Sequence, residues 1–167
     1  PESPFLIQTL LHRSNQGLHG LLPDLTNIVM TELGQPMHVF DAPTIEGVIT
    51  LRMAKKWEIF TGLDGKEYSL SSDDLVIADE KQILALAGIM GGKTSGTTEN
   101  TSRIYVESAS FNAIAVRKTS QRLGIRTDSS LRFEKWVDEA LPHLAQSRYS
   151  ELLLHLAQGT KKGKQTV

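Results

Sequence analysis

His38 is the clearest candidate for acid–base chemistry in this sequence. It is the only ionisable side chain between Glu32 and Asp41, in the segment TNIVMTELGQPMHVFD. Pro36 ends the preceding helix and holds Gln35 in an extended conformation, so the backbone leading to His38 is constrained. A histidine placed in this way can orient a water molecule or exchange a proton near neutral pH. The alternative is a histidine that is only hydrogen-bonded within a loop.

Two further polar residues could contact a ligand. Asn27 lies in the predicted helix before His38, where asparagine is a poor helix former; it packs against a backbone group, faces a ligand or faces solvent. Glu107 lies in the predicted strand RIYVESA, on the same side as Tyr105 and opposite Val106. A carboxylate there can accept a hydrogen bond. Exposure to solvent is the default expectation for such a glutamate.

A glycine-rich turn, GIMGG from Gly88 to Gly92, follows the apolar run LALA. Glycines after a buried strand indicate a close approach of the backbone to a ligand or to another strand. The continuation Gly92-Lys93-Thr94 resembles the end of a P-loop. However, its spacing from Gly88 is one residue short of the motif GxxxxGK[ST], so a nucleotide-phosphate loop is not predicted.

One basic cluster lies on the polar side of a predicted helix that Asn112 caps and Gly124 ends. Its members are Arg117, Lys118, Arg122 and, just beyond the helix, Arg126. Either these residues form a solvated face, or they contact the phosphates of a nucleic acid.

The elements that position these residues are helices at both ends of the chain and short strands between them. Helices are predicted from Pro4 to about Asn15 and from Pro23 to Gly34, and later over Asn112–Leu123, Leu131–Val137 and Pro142–Gln158, the last ending at Gly159. Strands are predicted over Val48–Met53, Trp57–Phe60, Glu67–Leu70, Leu75–Ala78, Ile83–Ala87 and Arg103–Ala109. Asp64-Gly65 is typical of a hairpin turn, and the run Ile83–Ala87, apolar on both faces, predicts a central strand. The pattern therefore indicates an α+β domain with an all-β core.

Composition limits the possible functions. The chain has 167 residues, 40% of them hydrophobic, which suffices for one good core or two small ones. A net charge of −1 gives no global basic field of the kind that general nucleic-acid binders show. The chain has no cysteine, which excludes disulfides, thiolate zinc sites and a cysteine nucleophile. No apolar run approaches the roughly 18 residues of a membrane span, and no signal-peptide pattern is present, so we expect a soluble intracellular protein.

Four segments resemble one family in order and spacing. They are TNIVMTELGQPMHVFD, LALAGIMGG, VESASF and RLGIRTDSSLRFEKWVD, and they span Thr26 to Asp138. The sequence is similar to the B3/B4 editing domain of the bacterial phenylalanyl-tRNA synthetase beta chain. The resemblance implies an α+β fold around a β-sandwich-like core of unusual topology. It implies a domain over residues 1–159 with a polar tail over residues 160–167, excised from a longer beta subunit.

The resemblance also implies an activity, the hydrolysis of tyrosine misattached to phenylalanine tRNA, with the alpha subunit as a partner, no membrane and a cytoplasmic location. It implies no metal and no cofactor in this domain; the whole enzyme uses ATP and magnesium elsewhere. In the family that the sequence resembles, the residue at the position of Glu107 contacts the tyrosine hydroxyl, and the residue at the position of His38 lies near the ester. The resemblance assigns the pocket to Thr26, Asn27, His38, Gly88, Gly91, Glu107 and Ser129. Direct attack of water on the activated ester is then expected, with His38 as a positioning group.

The sequence departs from the family at three places. The segment His19 to Asp24 replaces a stretch rich in Asn and Val, Ser129 stands where Ala is common, and Trp136 replaces a Gly. Ser129 changes the size or polarity of the pocket, and Trp136 changes the local packing. Two other readings stay open: a catalytically silent module for assembly or tRNA docking, and a free-standing hydrolase that acts in trans.

Overall fold

A computed structural model describes residues 2–157, 159 and 160 of the chain. The helices are α1 (Phe5–Arg13), α2 (Leu21–Leu33), α3 (Ala113–Leu123), α4 (Asp128–Phe133) and α5 (Leu141–Ala157). The strands are β1 (Met37–Asp41), β2 (Thr50–Met53), β3 (Ile59–Thr61), β4 (Glu67–Ser69), β5 (Leu75–Ala78), β6 (Ile83–Leu86), β7 (Met90–Gly91) and β8 (Ile104–Ser108). The predicted α+β class, with strands between terminal helices, is confirmed.

Within the described residues, the strands form three antiparallel sheets. One sheet has the order β2-β5-β6-β7, and the pairs β1-β8 and β3-β4 form two smaller sheets. Strand β6 has a neighbour on each side and is buried along its whole length, as its apolar sequence predicts. The β3-β4 hairpin turns at Gly65, whose φ of 77° suits glycine. The pairing of β1 with β8 joins the start of the sheet region to its end.

In the described part of the chain, two apolar cores stabilise the fold. The larger core collects side chains from all three sheets and from α3 and α4, including Phe40, Phe60, Leu86, Val116 and Phe133. The smaller core packs α1, α2 and α5 against the outer side of the β1-β8 pair. Strand β1 therefore lies between the two cores, because Phe40 contributes to the larger and Val39 to the smaller.

The helix ends follow the signals in the sequence. Gly34 and Gly124 end α2 and α3 in the left-handed conformation, with φ of 77° and 68°. The side chain of Asn112 caps α3 by accepting hydrogen bonds from the N–H groups of Ile114 and Ala115, both at 3.0 Å. Because Gly34 stops α2 and Pro36 prevents its continuation, the chain enters β1 directly.

Several predicted boundaries are wrong. Helix α4 begins at Asp128 and not at Leu131, because Thr127 and Ser130 form a reciprocal capping box. It ends at Phe133, and Trp136 then takes a left-handed conformation with φ of 66°. That conformation suits the Gly that the family motif has at this position. Helix α2 begins earlier than predicted, at Leu21.

The predicted strand Val48–Met53 is shortened to β2, and helix α5 begins one residue early, at Leu141. Gln158, where α5 is predicted to end, and residues 161–167 of the predicted polar tail lie outside the described residues. Within the part of the chain that the structure describes, no helix is long and apolar enough to cross a membrane.

Candidate functional site

Strands β1 and β8 bring His38 and Glu107 together. Their antiparallel register places these two residues directly opposite each other, with Val39 opposite Val106 on the next step. Residues that face each other in this way have Cβ atoms about 4.5–5.5 Å apart, on the same face of the pair. His38 and Glu107 therefore share one face. The valines turn to the helical core on the other face.

The turn between β6 and β7 supplies the opposite wall. A Cβ atom on Gly91 would overlap the imidazole ring of His38, so any larger residue would require that ring to move. Gly88 has a φ of 70°, and a Cβ at that position would lie 3.0 Å from Val116 and 3.1 Å from Phe111. Both glycines are required by close approach, as the sequence predicts.

Helix α4 is fixed to this turn by two hydrogen bonds. The hydroxyl of Thr127 donates to the carbonyl of Ile89 at 2.7 Å, and the hydroxyl of Ser129 donates to the carbonyl of Gly88 at 3.0 Å. Thr127 also caps the helix by accepting a hydrogen bond from the N–H of Ser130 at 3.0 Å. The same residues that begin α4 therefore set its position against the glycine turn.

These elements enclose a small cavity of about 70 Å³. This volume is about twice the ~30 Å³ that one molecule occupies in liquid water. The walls combine two polar side chains, a hydroxyl, glycine backbone and apolar groups. They are formed by Pro36, Met37, His38, Ala85, Leu86, Gly88, Ile89, Met90, Gly91, Glu107, Ser129 and Phe133.

The imidazole of His38 is neutral at physiological pH. Burial lowers its pKa to about 4, because the cationic form would lose its hydration. Its Nε2 atom is buried and has no hydrogen-bond partner among the described residues. The ring packs edge-on against Phe40, with centroids 4.7 Å apart. The unpartnered nitrogen is suited to binding a water molecule or a polar group of a ligand.

Burial shifts the pKa of the Glu107 carboxyl group in the opposite direction. Burial raises its pKa to about 7, so near neutral pH it is present in both protonation states. Within the described residues its carboxyl group makes no hydrogen bond. The side chain is half-buried at the cavity wall and not exposed to solvent as the default expectation had it. A ligand hydroxyl could supply the missing partner.

Five of the seven residues that the sequence assigns to the pocket meet at this cavity: His38, Gly88, Gly91, Glu107 and Ser129. The structure does not bring Thr26 and Asn27 to its walls. Thr26 is buried in α2, where its hydroxyl donates to the carbonyl of Pro23 at 2.7 Å, and Asn27 is half-buried on the same helix. Their assigned roles stay predictions.

The four basic residues have different environments. Arg122 turns inward to form an ion pair with the buried carboxylate of Asp74, and Arg126 lies 3.5 Å from a carboxylate oxygen of Glu134. Arg117 and Lys118 are exposed on α3. A role in RNA binding stays a prediction for all four, and it fits the exposed pair best.

The sequence reading missed the apolar walls, chiefly Met37, Met90 and Phe133. Met37 and Met90 adjoin the predicted His38 and glycine motifs, so proximity in sequence was an available signal for them. Phe133 becomes a wall only because α4 packs against the β6-β7 turn, which no local pattern indicates. Among the described residues, no group of three or more potential ligands is placed to hold a metal ion.

Comparison with known proteins identifies the family. The B3/4 domain family matches residues 1–158. The chain is 45% identical over 163 residues to the phenylalanine–tRNA ligase beta subunit of Psychrobacter arcticus, covering 98% of this chain and 20% of that protein. It is 44% identical over 158 residues to the beta subunit of Nitrosococcus oceani, covering 95% of this chain and 20% of that protein. The chain thus spans about a fifth of the length of these curated relatives, and it belongs to the B3/4 domain family.

Proposed function

We propose that the chain is the editing module of a phenylalanine–tRNA ligase beta subunit, and that it hydrolyses tyrosine misattached to phenylalanine tRNA. One observation carries this proposal. His38 and Glu107 face each other across β1 and β8, at a cavity walled by Gly88 and Gly91. Among the described residues, the Nε2 atom of His38 is buried without a hydrogen-bond partner, and the half-buried Glu107 carboxyl group accepts no hydrogen bond. The similarity to ligase beta subunits supports the choice of substrate.

Glu107 discriminates tyrosine from phenylalanine. A synthetic site for phenylalanine discriminates weakly against an amino acid that only adds a hydroxyl group. In the cavity, the phenol of tyrosine would donate a hydrogen bond to the Glu107 carboxyl group, and phenylalanine would leave that group unpaired. An unsatisfied buried polar group costs roughly 1–3 kcal/mol, and more when it is charged. The cavity therefore selects for the hydroxyl that the synthetic site fails to reject.

The cavity opens to admit an aromatic side chain. Its volume of about 70 Å³ suits water and not a phenol ring. Met37 and Met90 lie in the walls and are both half-buried. Methionine side chains are unbranched and adjust their rotamers easily. We assign the opening to these two side chains, while the hydrogen-bonded contact between α4 and the glycine turn stays fixed.

Hydrolysis follows from a positioned water. The water oxygen bonds to the ester carbonyl carbon, the bond from that carbon to the ribose oxygen breaks, and the ribose oxygen takes up a proton. Tyrosine leaves with a free carboxylate, and the second proton passes to solvent. His38 holds the water through Nε2; with a pKa of about 4 its imidazole is too weak a base to remove a proton efficiently. The gain is mainly orientation.

The remaining parts of the proposal concern the whole enzyme. The beta subunit would act with an alpha subunit in the cytoplasm and receive the acceptor end of phenylalanine tRNA. ATP and magnesium would be used by the synthetic site elsewhere in the enzyme. Within this domain the chemistry requires only water and the ester, because an aminoacyl ester is already activated.

Single-turnover deacylation of Tyr-tRNA by the complete enzyme tests the proposal. The unmodified enzyme should hydrolyse Tyr-tRNA faster than Phe-tRNA. His38→Ala should slow the reaction by less than the roughly 100-fold that marks the lower range for a general base. Because burial holds the pKa of His38 at about 4, the unmodified enzyme should show no inflection near pH 6.5. His12→Ala, on the exposed side of α1, is the control and should keep the full rate.

Three outcomes separate the alternatives. Absence of Tyr-tRNA hydrolysis by the unmodified enzyme would make the domain a silent module for assembly or tRNA docking. Full activity in both His38→Ala and Glu107→Ala would move the chemistry out of this cavity. Efficient hydrolysis by the 167-residue chain alone would likewise exclude the silent module, and it would be compatible with both the editing module and a free-standing hydrolase that acts in trans.

A further inference from the structure

A second and larger cavity adjoins the first. It is an open groove of about 530 Å³ between the end of α4, the loop that follows it and the start of α5. The two cavities share two structural elements. Helix α4 gives Ser129 to the first cavity and Arg132 to the groove, and the turn before β1 gives Pro36 to the first cavity and Gly34 to the groove. The two cavities therefore lie beside the same helix and the same turn.

Trp136 forms an exposed aromatic surface in the groove. Its side chain is 69% exposed, and its φ of 66° is a conformation that bulky residues rarely adopt. The backbone N–H of Trp136 donates a hydrogen bond to the backbone carbonyl of Phe133 at 3.1 Å, which holds this strained residue against the end of α4. Residues held in sparsely populated backbone conformations cluster at active sites and ligand-binding sites. Within the described residues, no aromatic ring or cation stacks on the Trp136 indole.

The groove carries two acidic and two basic side chains, and one of the basic groups has no ion-pair partner within the described residues. Asp128 lies 3.6 Å from the Arg132 guanidinium, whereas Asp138 accepts the N–H of Ala140 at 2.9 Å and keeps its negative charge. Lys135 is exposed and makes no ion pair within the described part of the chain. The groove therefore offers an ammonium group beside an unoccupied indole face.

We propose that this groove binds the single-stranded 3′ end of an RNA, with a nucleobase stacked on Trp136 and a phosphate near Lys135. Its volume lies within the roughly 300–1,000 Å³ of small-molecule sites, which suits one nucleotide. Stacking on an aromatic face together with a basic contact to phosphate is the common way in which proteins bind single strands. The inference rests on the proposed function, because the aminoacyl group of the same RNA would occupy the first cavity.

Trp57 provides a matched control. It is 71% exposed and has a φ of 67°, nearly the same geometry as Trp136, but the ammonium of Lys56 lies 5.5 Å from its ring centroid and it lines neither cavity. Replacing either tryptophan with glycine relieves a left-handed backbone. We therefore expect Trp136→Gly and Trp57→Gly alike to leave the thermal midpoint unchanged or raised, and only the first to affect RNA binding.

Direct binding is measured on the 167-residue chain with Trp57→Phe, which leaves Trp136 as the sole tryptophan. The probe is the RNA tetranucleotide ACCA with a free 3′ hydroxyl. We expect it to quench the Trp136 fluorescence, and we expect Lys135→Ala to weaken that binding. Trp136→Phe, followed by calorimetry, should keep most of the affinity because it keeps an aromatic face. Absence of quenching at millimolar probe, or equal affinity with Trp136→Gly by calorimetry, would overturn the proposal.

Deacylation by the complete enzyme gives the second readout. Stacking is worth roughly 1–3 kcal/mol per base, so Trp136→Gly should raise the half-saturating concentration of Tyr-tRNA at least about fivefold. Trp57→Gly should leave it unchanged. If the unmodified enzyme hydrolyses Tyr-tRNA and Trp136→Gly has no effect, the groove proposal fails and the proposed function stands. If the unmodified enzyme does not hydrolyse Tyr-tRNA, the proposed function fails, and the ACCA titration still decides whether the groove binds RNA.

Discussion

Asp74 and Glu107 are acidic residues in two contrasting environments. Asp74 is 1% exposed and accepts hydrogen bonds from the N–H of Ser71 and the hydroxyl of Thr119, both at 2.7 Å, as well as an ion pair from Arg122. Glu107 is half-buried, has no hydrogen-bond partner in the described residues, and has a pKa raised to about 7 by burial. Residues of the chain itself supply the hydrogen-bond partners of Asp74, whereas Glu107 has none within the described residues.

The contrast distinguishes structure from function. A buried polar group that only stabilises the fold normally has all its partners within the protein. Asp79 follows this rule as well, since it accepts the N–H groups of Glu46, Lys81 and Gln82. Within the described residues, neither Glu107 nor the buried Nε2 of His38 has a hydrogen-bond partner; Gln16, Gln35 and Asp41 also each have one buried oxygen without a partner, but only His38 and Glu107 line the cavity.

Asp74→Ala should have the largest effect on stability. It leaves Arg122 unpaired and deprives the Thr119 hydroxyl and the Ser71 N–H of their acceptor. We expect the free energy of unfolding to fall by about 3 kcal/mol, from the loss of three hydrogen bonds at a buried site. Urea denaturation measures it. Asp73→Ala changes the exposed neighbour and should stay within about 0.5 kcal/mol of the unmodified chain; equal losses in the two variants would contradict the assignment.

Glu107→Gln should increase stability in alkaline solution. The pKa of Glu107 is about 7 in the folded chain and near 4.5 when unfolded, so the folded state loses stability as the pH rises through this interval. Glutamine cannot ionise and escapes this loss. We expect the variant to gain roughly 1–3 kcal/mol at pH 8 and little at pH 4.5. Glu139→Gln, at an exposed site, is the control. A gain that does not depend on pH would contradict an unpaired carboxyl group.

Local structure could be predicted from the sequence where single residues decide it. Gly34 and Gly124 end helices because glycine accepts a left-handed conformation, and Asn112 caps α3 through its own side chain. The boundary of α4 was wrong because the Thr127 capping box begins the helix before the apolar run that indicated it. Such a cap competes with apolar periodicity, and here the cap decided the boundary.

The partners of the polar residues could not be predicted in the same way. The resemblance named His38 and Glu107, but their opposition depends on the register of β1 with β8, which neither strand alone determines. The sequence predicts that Arg122 belongs to a basic helix face, whereas in the structure it forms an ion pair with Asp74 near the start of β5. Contacts between distant segments depend on the packing of the whole domain. The lack of any partner for Glu107 is equally invisible in the sequence.

Arg117 and Lys118 should have a smaller effect, confined to RNA binding. Both are exposed on α3, whereas Arg122 forms an ion pair with Asp74. In the complete enzyme, Arg117→Ala with Lys118→Ala should reduce the slope of log affinity for tRNA against log salt by about 1 for each lost phosphate contact. Arg122→Ala should lower stability and leave the slope unchanged. If the slope is unaltered in the double variant, these two residues form a solvated face.

A crystal structure of the chain soaked with tyrosine tests the central claim most directly. We expect tyrosine in the cavity beside Gly88 and Gly91, with its phenolic oxygen within hydrogen-bond distance of a Glu107 carboxyl oxygen and Met37 or Met90 displaced. A parallel soak with phenylalanine should show lower occupancy. Tyrosine bound with its hydroxyl away from Glu107, or equal occupancy by the two amino acids, would contradict the claim that Glu107 is left unpaired in order to recognise that hydroxyl.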